Sequence, residues 1–152
     1  MYMRNLIVIL FACALTASAH AEPRILLNLD KNGLALQGYD PVAYFTENKA
    51  VKGSPQIYAT YHGALYQFTS KENKALFQQM PAKYEPAFGG YCAYGVSRNK
   101  LVEIDVNAFQ IVNDRLLLQY SKGVRDDFNK DTQGNLKKAD GNWSGLLEKK
   151  GK

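Results

Sequence analysis

The sequence predicts an α+β fold, in which small antiparallel β-hairpins pack with short helices in a single domain. Two pairs of apolar segments, each pair joined by a short turn, predict the hairpins, and helical segments follow each pair. The βαβ rhythm of a parallel sheet is absent. With 46% hydrophobic residues among 152, the chain can bury one core.

The first hairpin and the helix after it form the best-defined unit. Aromatic and β-branched residues recur between Ile57 and Phe68, on both sides of a turn at His62-Gly63. Ser70 is the predicted N-cap of the following helix, which ends at Pro81. His62 is therefore expected to be exposed in the turn.

The remaining segments are less regular. Residues 81–100 contain many glycine and proline residues and are predicted to form a packed loop without regular structure. Residues 101–105 are typical of a strand, and a second hairpin is predicted to turn at Asn113-Asp114. Two short helical segments follow, with Ser121 and Thr132 as their caps. No internal repeat is evident in the sequence.

The N-terminus has the three parts of a secretory signal: the basic Arg4, an apolar run over residues 6–15, and small residues at Ala19-His20-Ala21. We expect cleavage after Ala21 and a periplasmic or secreted protein. The apolar run is shorter than the roughly 20 residues that a membrane span needs. A retained anchor and lipidation at Cys13 are the alternatives.

Cleavage would divide the chain into a signal peptide, residues 1–21, and a mature domain, residues 22–152. The net charge would fall from +5 to +4, because the removed segment contains one arginine and no acidic residue. The basic residues are scattered, and their densest cluster, residues 149–152, lies at a terminus. Nucleic-acid binding is therefore not expected, since it needs a basic stripe along one element.

The mature chain would keep one cysteine, Cys92, and one histidine, His62. An intramolecular disulfide is therefore excluded, and so is a structural four-ligand zinc site made by these residues alone. No nucleophile–base pair, phosphate-binding glycine loop or paired acid motif is present in the sequence. We therefore expect a protein without enzymatic activity.

A set of residues at fixed spacing covers the first hairpin, its helix and the segment after it. These residues are Tyr61, Gly63, Tyr66, Phe68, Ser70, Phe77, Pro81 and Tyr84. The set resembles the pattern of the YHS domain, with a core at about residues 39–97. Segments 38–45, 89–97 and 138–143 are similar to exported, single-domain bacterial members of that family, so the resemblance covers nearly all of the mature chain.

The resemblance implies metal binding, with copper before zinc, through two cysteines in the spacing Cys–Ser–x–x–Cys. In this sequence Thr69 and Asn73 occupy those two positions, so the thiolate pair that suits Cu(I) is not carried over. The remaining soft or borderline ligands are Cys92 and His62. Water, Met80 or a second subunit would have to complete such a site.

Three interpretations of Cys92 remain open. It can be a small buried side chain in a packed loop, which is the commonest environment of a free cysteine and the interpretation that we favour. It can also be a metal ligand, or a redox thiol whose pKa is lowered by a nearby cation or a helix N-terminus. Arg98 is the nearest basic residue along the chain. For His62, a solvated turn residue is favoured over a metal ligand.

The loop at residues 84–94 is rich in tyrosine. Tyr84, Tyr91 and Tyr94 are expected to pack mainly against the core, with their hydroxyl groups on polar partners. They are also the candidates for contacts with a small ligand or a partner protein. Asp40 is predicted to anchor its own turn by hydrogen bonds.

The first functional prediction is metal binding or handling by an exported protein without enzymatic activity. The second is a metal-free module that binds a small ligand or a protein through the loop at residues 84–94. The third is a redox sensor that acts through Cys92, for example by an intermolecular disulfide. We expect no nucleic-acid partner and no membrane span after signal cleavage.

Overall fold

The structure, a computed structural model, describes residues 24–152. The predicted signal peptide and Cys13 lie outside the described residues. Within residues 24–152, six α-helices and two antiparallel two-stranded sheets confirm the α+β class. In chain order the elements are α1 (Ala43–Thr46), β1 (Ser54–Tyr61), β2 (Ala64–Phe68), α2 (Lys71–Gln79), α3 (Pro81–Tyr84), α4 (Ala93–Ser97), β3 (Asp105–Val112), β4 (Arg115–Gln119), α5 (Lys122–Asn129) and α6 (Thr132–Lys150). Within the described range, no helix combines the length and the apolar character that crossing a bilayer requires.

The first hairpin forms as the sequence predicts. β1 pairs with β2 around His62 and Gly63, whose φ angles of 49° and 80° both lie in the left-handed region. This geometry lets a tight turn follow the twist of the two strands. The Ser70 hydroxyl accepts a hydrogen bond from the Asn73 N–H at 3.0 Å and caps α2, which confirms the predicted N-cap.

The second hairpin is also confirmed, with its turn at Asn113-Asp114 and with Ser121 as the cap of α5. The last helix differs from the prediction. Asp131, rather than Thr132, caps α6, and its Oδ1 accepts a hydrogen bond from the Gly134 N–H at 3.0 Å. A carboxylate is a strong acceptor at the positive end of a helix, so α6 begins there and continues far beyond the short segment predicted.

Residues 81–100 are more regular than predicted. They contain α3, a 3-10 turn at Ala87–Gly90, and α4. Pro81 ends α2 and also takes the first position of α3, where its missing N–H is not needed. Residues 101–105 were predicted as a strand, but no strand is present before Asp105, where pairing with β4 begins.

The expectation of no internal repeat is wrong, because one series of elements occurs twice. α1, β1, β2 and α2 recur in the same order as α4, β3, β4 and α5. Even the irregularity of the strands recurs, since the register shifts between Ser54 and Tyr58 in β1 and between Asp105 and Phe109 in β3. We call residues 34–79 the first half and residues 86–129 the second half.

Unusual backbone angles recur at matching positions of the two halves. In Leu36–Gly38, before α1, the φ angles are 53°, 53° and 81°. In residues 88–90, before α4, they are 54°, 59° and 82°. Residues with a Cβ atom rarely adopt positive φ angles, so chance does not explain two matching series. Each half therefore needs the same sharp turn before its short helix.

β4 joins the two halves, because both of its faces are buried. Leu116 and Leu118 pack in the hydrophobic cluster of the first half, and Leu117 packs in the cluster of the second half. All three are at most 1% exposed. A strand buried on both faces needs an unbroken apolar run, which three successive leucines supply. The first cluster includes Tyr44, Tyr66, Phe68 and Phe77, and the second includes Phe88, Val96, Phe128 and Leu136.

Candidate functional site

The carboxylate of Asp40 is fully buried and accepts five hydrogen bonds. Its Oδ1 accepts from the N–H groups of Val42 and Ala43, at 2.8 and 3.4 Å. Its Oδ2 accepts from the N–H and the hydroxyl of Thr69, both at 2.8 Å, and from the Asn73 amide at 2.7 Å. Asp40 therefore ties the start of α1 to the junction between β2 and α2, well beyond the local turn that the sequence predicted.

Thr69 and Asn73 stand at the two cysteine positions of the family pattern. Both side chains donate to the same carboxylate oxygen of Asp40, and the Asn73 amide also donates to the Thr69 hydroxyl at 3.1 Å. Their polar groups are therefore engaged with each other and with Asp40. This set of a hydroxyl, an amide and a carboxylate does not fit a soft metal such as Cu(I), which prefers thiolates.

Cys92 occupies in the second half the position that Asp40 occupies in the first. Each residue follows a turn with positive φ angles and precedes a short helix. The Asp40 N–H donates to the Val51 carbonyl oxygen at 2.9 Å, and the Cys92 N–H donates to the Val102 carbonyl oxygen at 3.0 Å. The two backbones are therefore equivalent at this position.

The Cys92 side chain also performs the same structural task. It is 1% exposed, and its Sγ accepts hydrogen bonds from the N–H groups of Gly95 and Tyr120, at 3.4 and 3.3 Å. Its thiol donates to the side-chain oxygen of Gln119 at 3.3 Å, and that oxygen also accepts from the Tyr94 N–H at 3.0 Å. A thiol is a weaker acceptor than a carboxylate, which has two oxygens. The side-chain oxygen of Gln119 supplies the additional acceptor in the second half.

The structure does not bring Cys92 and His62 to one site. Cys92 and Tyr94 line a cavity of about 200 Å³, whereas His62 lines two other cavities near the tip of the first hairpin. Met80, the suggested further ligand, lines none of these cavities. Between residues 24 and 152, no three His, Cys, Asp or Glu side chains are grouped closely enough to hold a metal ion.

His62 lies instead beside Glu85, with its Nδ1 at 3.3 Å from Glu85 Oε2. The two side chains are 47% and 28% exposed. Burial raises the pKa of Glu85 above its ordinary value, and the charge and hydrogen bond of His62 partly offset that rise. The pair connects the tip of the first hairpin to the segment after α3.

The three candidate tyrosines lie in different environments. Tyr84 is 4% exposed and packs edge-on against Phe45, with ring centroids 5.4 Å apart, so it is a core residue and cannot touch an external ligand. Tyr94 lines the cavity of about 200 Å³ in the second half. Tyr91 is half-buried, and its hydroxyl donates to the Leu27 carbonyl oxygen at 3.3 Å. Of the three, Tyr91 is the tyrosine that borders a cavity of about 580 Å³.

A groove with two chambers lies where the two halves meet. The chambers share Ile25, Leu26, Leu27 and His62. The Trp143 chamber, of about 340 Å³, is also lined by Glu85, Phe88, Arg115 and Trp143. The Tyr91 chamber, of about 580 Å³, is also lined by Leu29, Gly63, Tyr91, Lys150 and Lys152. Both volumes lie near the range of about 300–1,000 Å³ that small-molecule sites occupy.

Stacked side chains fix one wall of the Trp143 chamber. Asp140 accepts two hydrogen bonds from Arg115, at 3.1 and 2.9 Å, and holds its guanidinium 4.9 Å from the ring centroid of Phe88. Phe88 in turn packs edge-on against Trp143, with centroids 5.8 Å apart. These four residues come from segments far apart along the chain, so no local sequence pattern predicts that they meet.

Comparison with protein-family models matches the YHS domain to residues 42–87. The match covers most of the first half, including Thr69 and Asn73. The second half is the structural counterpart of this region and lies outside the match except for residues 86 and 87. No curated protein and no solved structure matches the chain significantly.

We predict that Asp40→Ala lowers the free energy of unfolding by more than about 4 kcal/mol, because it leaves several buried donors without an acceptor. Asp30→Ala is the matched control. Its carboxylate also accepts two backbone N–H bonds, at 2.8 and 2.9 Å, but on the exposed surface, so a loss of about 1 kcal/mol is expected. Urea denaturation measures both, and Asp40→Asn gives an intermediate value if the alanine variant does not fold. Equal losses for Asp40→Ala and Asp30→Ala would contradict the structural role of Asp40.

We predict that the Cys92 thiol reacts slowly in the folded protein, because it is buried and bonded on three sides. Labelling with a chromogenic disulfide reagent should be at least about 100-fold slower in native protein than in denaturant, since the reaction requires local unfolding. Comparable rates would contradict this prediction and favour a redox role.

Ionisation of Glu85 should destabilise the wild-type fold as the pH rises from about 4 to 7. We predict that Glu85→Gln, which cannot ionise, loses less stability than wild type over the same range. Because the folded state raises the pKa of Glu85, its contribution is full below pH 4.5 and is lost as the pH rises through the folded pKa. The difference from wild type should stay below about 1 kcal/mol, since both members of the pair are partly exposed. Urea midpoints measure it, with the exposed Glu103→Gln as control. A steeper loss in Glu85→Gln than in wild type would show that the His62 contact outweighs burial.

Proposed function

We propose that the chain, whose residues 42–87 match the model of the YHS domain, is an exported, non-enzymatic protein that binds a small ligand without a soft-metal centre. The proposed site is the groove between the two halves. The observation that carries the proposal is the pair of chambers beside Tyr91 and Trp143, together with the closed hydrogen-bond network at Thr69 and Asn73.

Metal handling is the function that the family resemblance implies, and the residues present argue against it. Thr69 and Asn73 supply no thiolate and already donate to Asp40. Cys92 holds two backbone N–H groups of its own half, and a metal on Sγ would have to displace them. His62 contacts a single carboxylate, that of Glu85. These environments favour structural roles for the residues that would bind copper.

The groove has the features of a small-molecule site. Such sites are concave, mostly apolar, and frequent where two packed units meet. Ile25, Leu26 and Leu27 form a wall common to both chambers, and His62 and Glu85 add polar groups at the hairpin tip.

The test is to purify the protein under native conditions from the periplasm of an expressing bacterium. Native mass spectrometry then measures bound small molecules, and elemental mass spectrometry measures metal. Wild type, Tyr91→Ala, Tyr58→Ala and Cys92→Ser are compared. Tyr58 is an exposed tyrosine, 51% accessible, that borders neither chamber, so it is the control for removing an aromatic ring.

We expect a bound small molecule on wild type, Tyr58→Ala and Cys92→Ser, and its loss from Tyr91→Ala. Copper should stay well below one per chain in all four, even after Cu(I) is added under reducing conditions. Copper near one per chain in wild type, lost in Cys92→Ser, would overturn the proposal in favour of metal handling. The intact mass also tests export, since cleavage after Ala21 leaves a chain that begins at Glu22.

A further inference from the structure

Two lysines line the Tyr91 chamber, and no acidic side chain in residues 24–152 does. These are Lys150 and Lys152. His62, which also lines the chamber, is paired with Glu85 and is not counted with them. In the described part of the chain, neither lysine lies within 4.0 Å of a carboxylate side chain. A groove lined by charges of one sign raises the local concentration of ligands of the opposite sign.

The rest of the same chamber is apolar. Ile25, Leu26, Leu27 and Leu29 supply aliphatic side chains, and Tyr91 adds an aromatic ring. The Tyr91 hydroxyl is already bonded to the Leu27 carbonyl oxygen, so the ring is fixed against this aliphatic segment. The chamber therefore offers a ligand an apolar surface and two ammonium groups.

A simpler reading of the lysines is that they stabilise the end of α6. Cations near a helix C-terminus interact favourably with its negative end. Lys149 and Lys150 both lie in the last turn of α6 and can both serve that purpose. Of the two, Lys150 lines the chamber and Lys149 does not. Helix stabilisation alone does not account for the convergence of Lys150 and Lys152 on an apolar cavity.

Resting on the proposed function, we infer that the ligand of the groove is a small amphiphile with one anionic head group, of the carboxylate or sulfonate type. Lys150 and Lys152 hold the head group. The aliphatic segment at residues 25–29 and the Tyr91 ring cover the apolar body. The chamber volume of about 580 Å³ suits a free molecule of this size.

The test uses the fluorescent probe 8-anilinonaphthalene-1-sulfonate, which has an aromatic body and one sulfonate. Its binding is measured through its own emission and through energy transfer from Trp143, the single tryptophan of the chain. Decanoate and decanol then compete with the probe. These two ligands share an alkyl chain and differ in the charge of the head group.

The variant Lys150→Gln plus Lys152→Gln removes the two charges of the chamber. Lys137→Gln plus Lys138→Gln is its control, because both residues are exposed on α6, border neither chamber and change the net charge equally. We expect the first variant to weaken probe and decanoate binding by about five- to tenfold, as loss of close charge pairs in water would do. Decanol binding and the control variant should remain within about twofold of wild type.

Two failures can be told apart. If decanoate and decanol compete equally and binding still falls in Tyr91→Ala, the groove binds a ligand but the anionic head group is wrong. If no variant at Tyr91 or at the two lysines changes probe binding, the proposed function fails as well. A third arm uses vesicles with an anionic lipid. Tight binding to vesicles without competition by decanoate would assign the lysines to a membrane surface and overturn the inference of a free ligand.

Discussion

The fold depends on one buried acceptor in each half, which holds a sharp turn against the junction between a hairpin and a helix. In the first half this acceptor is the Asp40 carboxylate, with five donors. In the second half it is the Cys92 thiol, with two backbone donors and the help of Gln119. Buried N–H groups are costly when unpaired, so a residue with an acceptor is required at both positions. This requirement explains why Cys92 can be present in a protein for which we propose export, because a buried thiol that serves as an acceptor is shielded from oxidants.

The same comparison explains why the family's cysteine positions need not carry a metal here. Thr69 and Asn73 lie within hydrogen-bond distance of the Asp40 carboxylate. Two thiolates at these positions would repel that carboxylate unless a cation lay between them. A hydroxyl and an amide avoid this repulsion and donate to the carboxylate instead. Neutral donors thus stabilise the junction between β2 and α2, where a bound cation would otherwise be needed. Both halves keep their backbone geometry without any thiolate pair.

The elements that local chemistry determines were predictable, and those that depend on the duplication were not. Both hairpin turns and the caps Ser70 and Ser121 follow from short-range rules and are confirmed. The repeat was missed because it has few identical residues, although Asn48-Lys49 and Asn99-Lys100, each followed by a valine two positions later, were a visible signal. Periodicity could not assign Cys92 its acceptor role, since that role depends on the Tyr120 N–H, which only the fold brings to Cys92 Sγ. Nor could it find the groove, whose walls come from residues 25–29, the hairpin tips and α6.

The position of the groove decides what a family match can say about function. Residues 42–87 form a unit whose own polar site is closed by the Asp40 network, so that unit offers no open ligand position there. The open volume arises where this unit meets the second half, the segment at residues 25–29 and the end of α6. Apart from residues 86 and 87, these three regions lie outside the match. β4 holds the two halves together with a face in each hydrophobic cluster, so the groove is a fixed feature of the packed pair. Ligand choice should therefore vary with these flanking segments, while the matched domain supplies the scaffold that positions them.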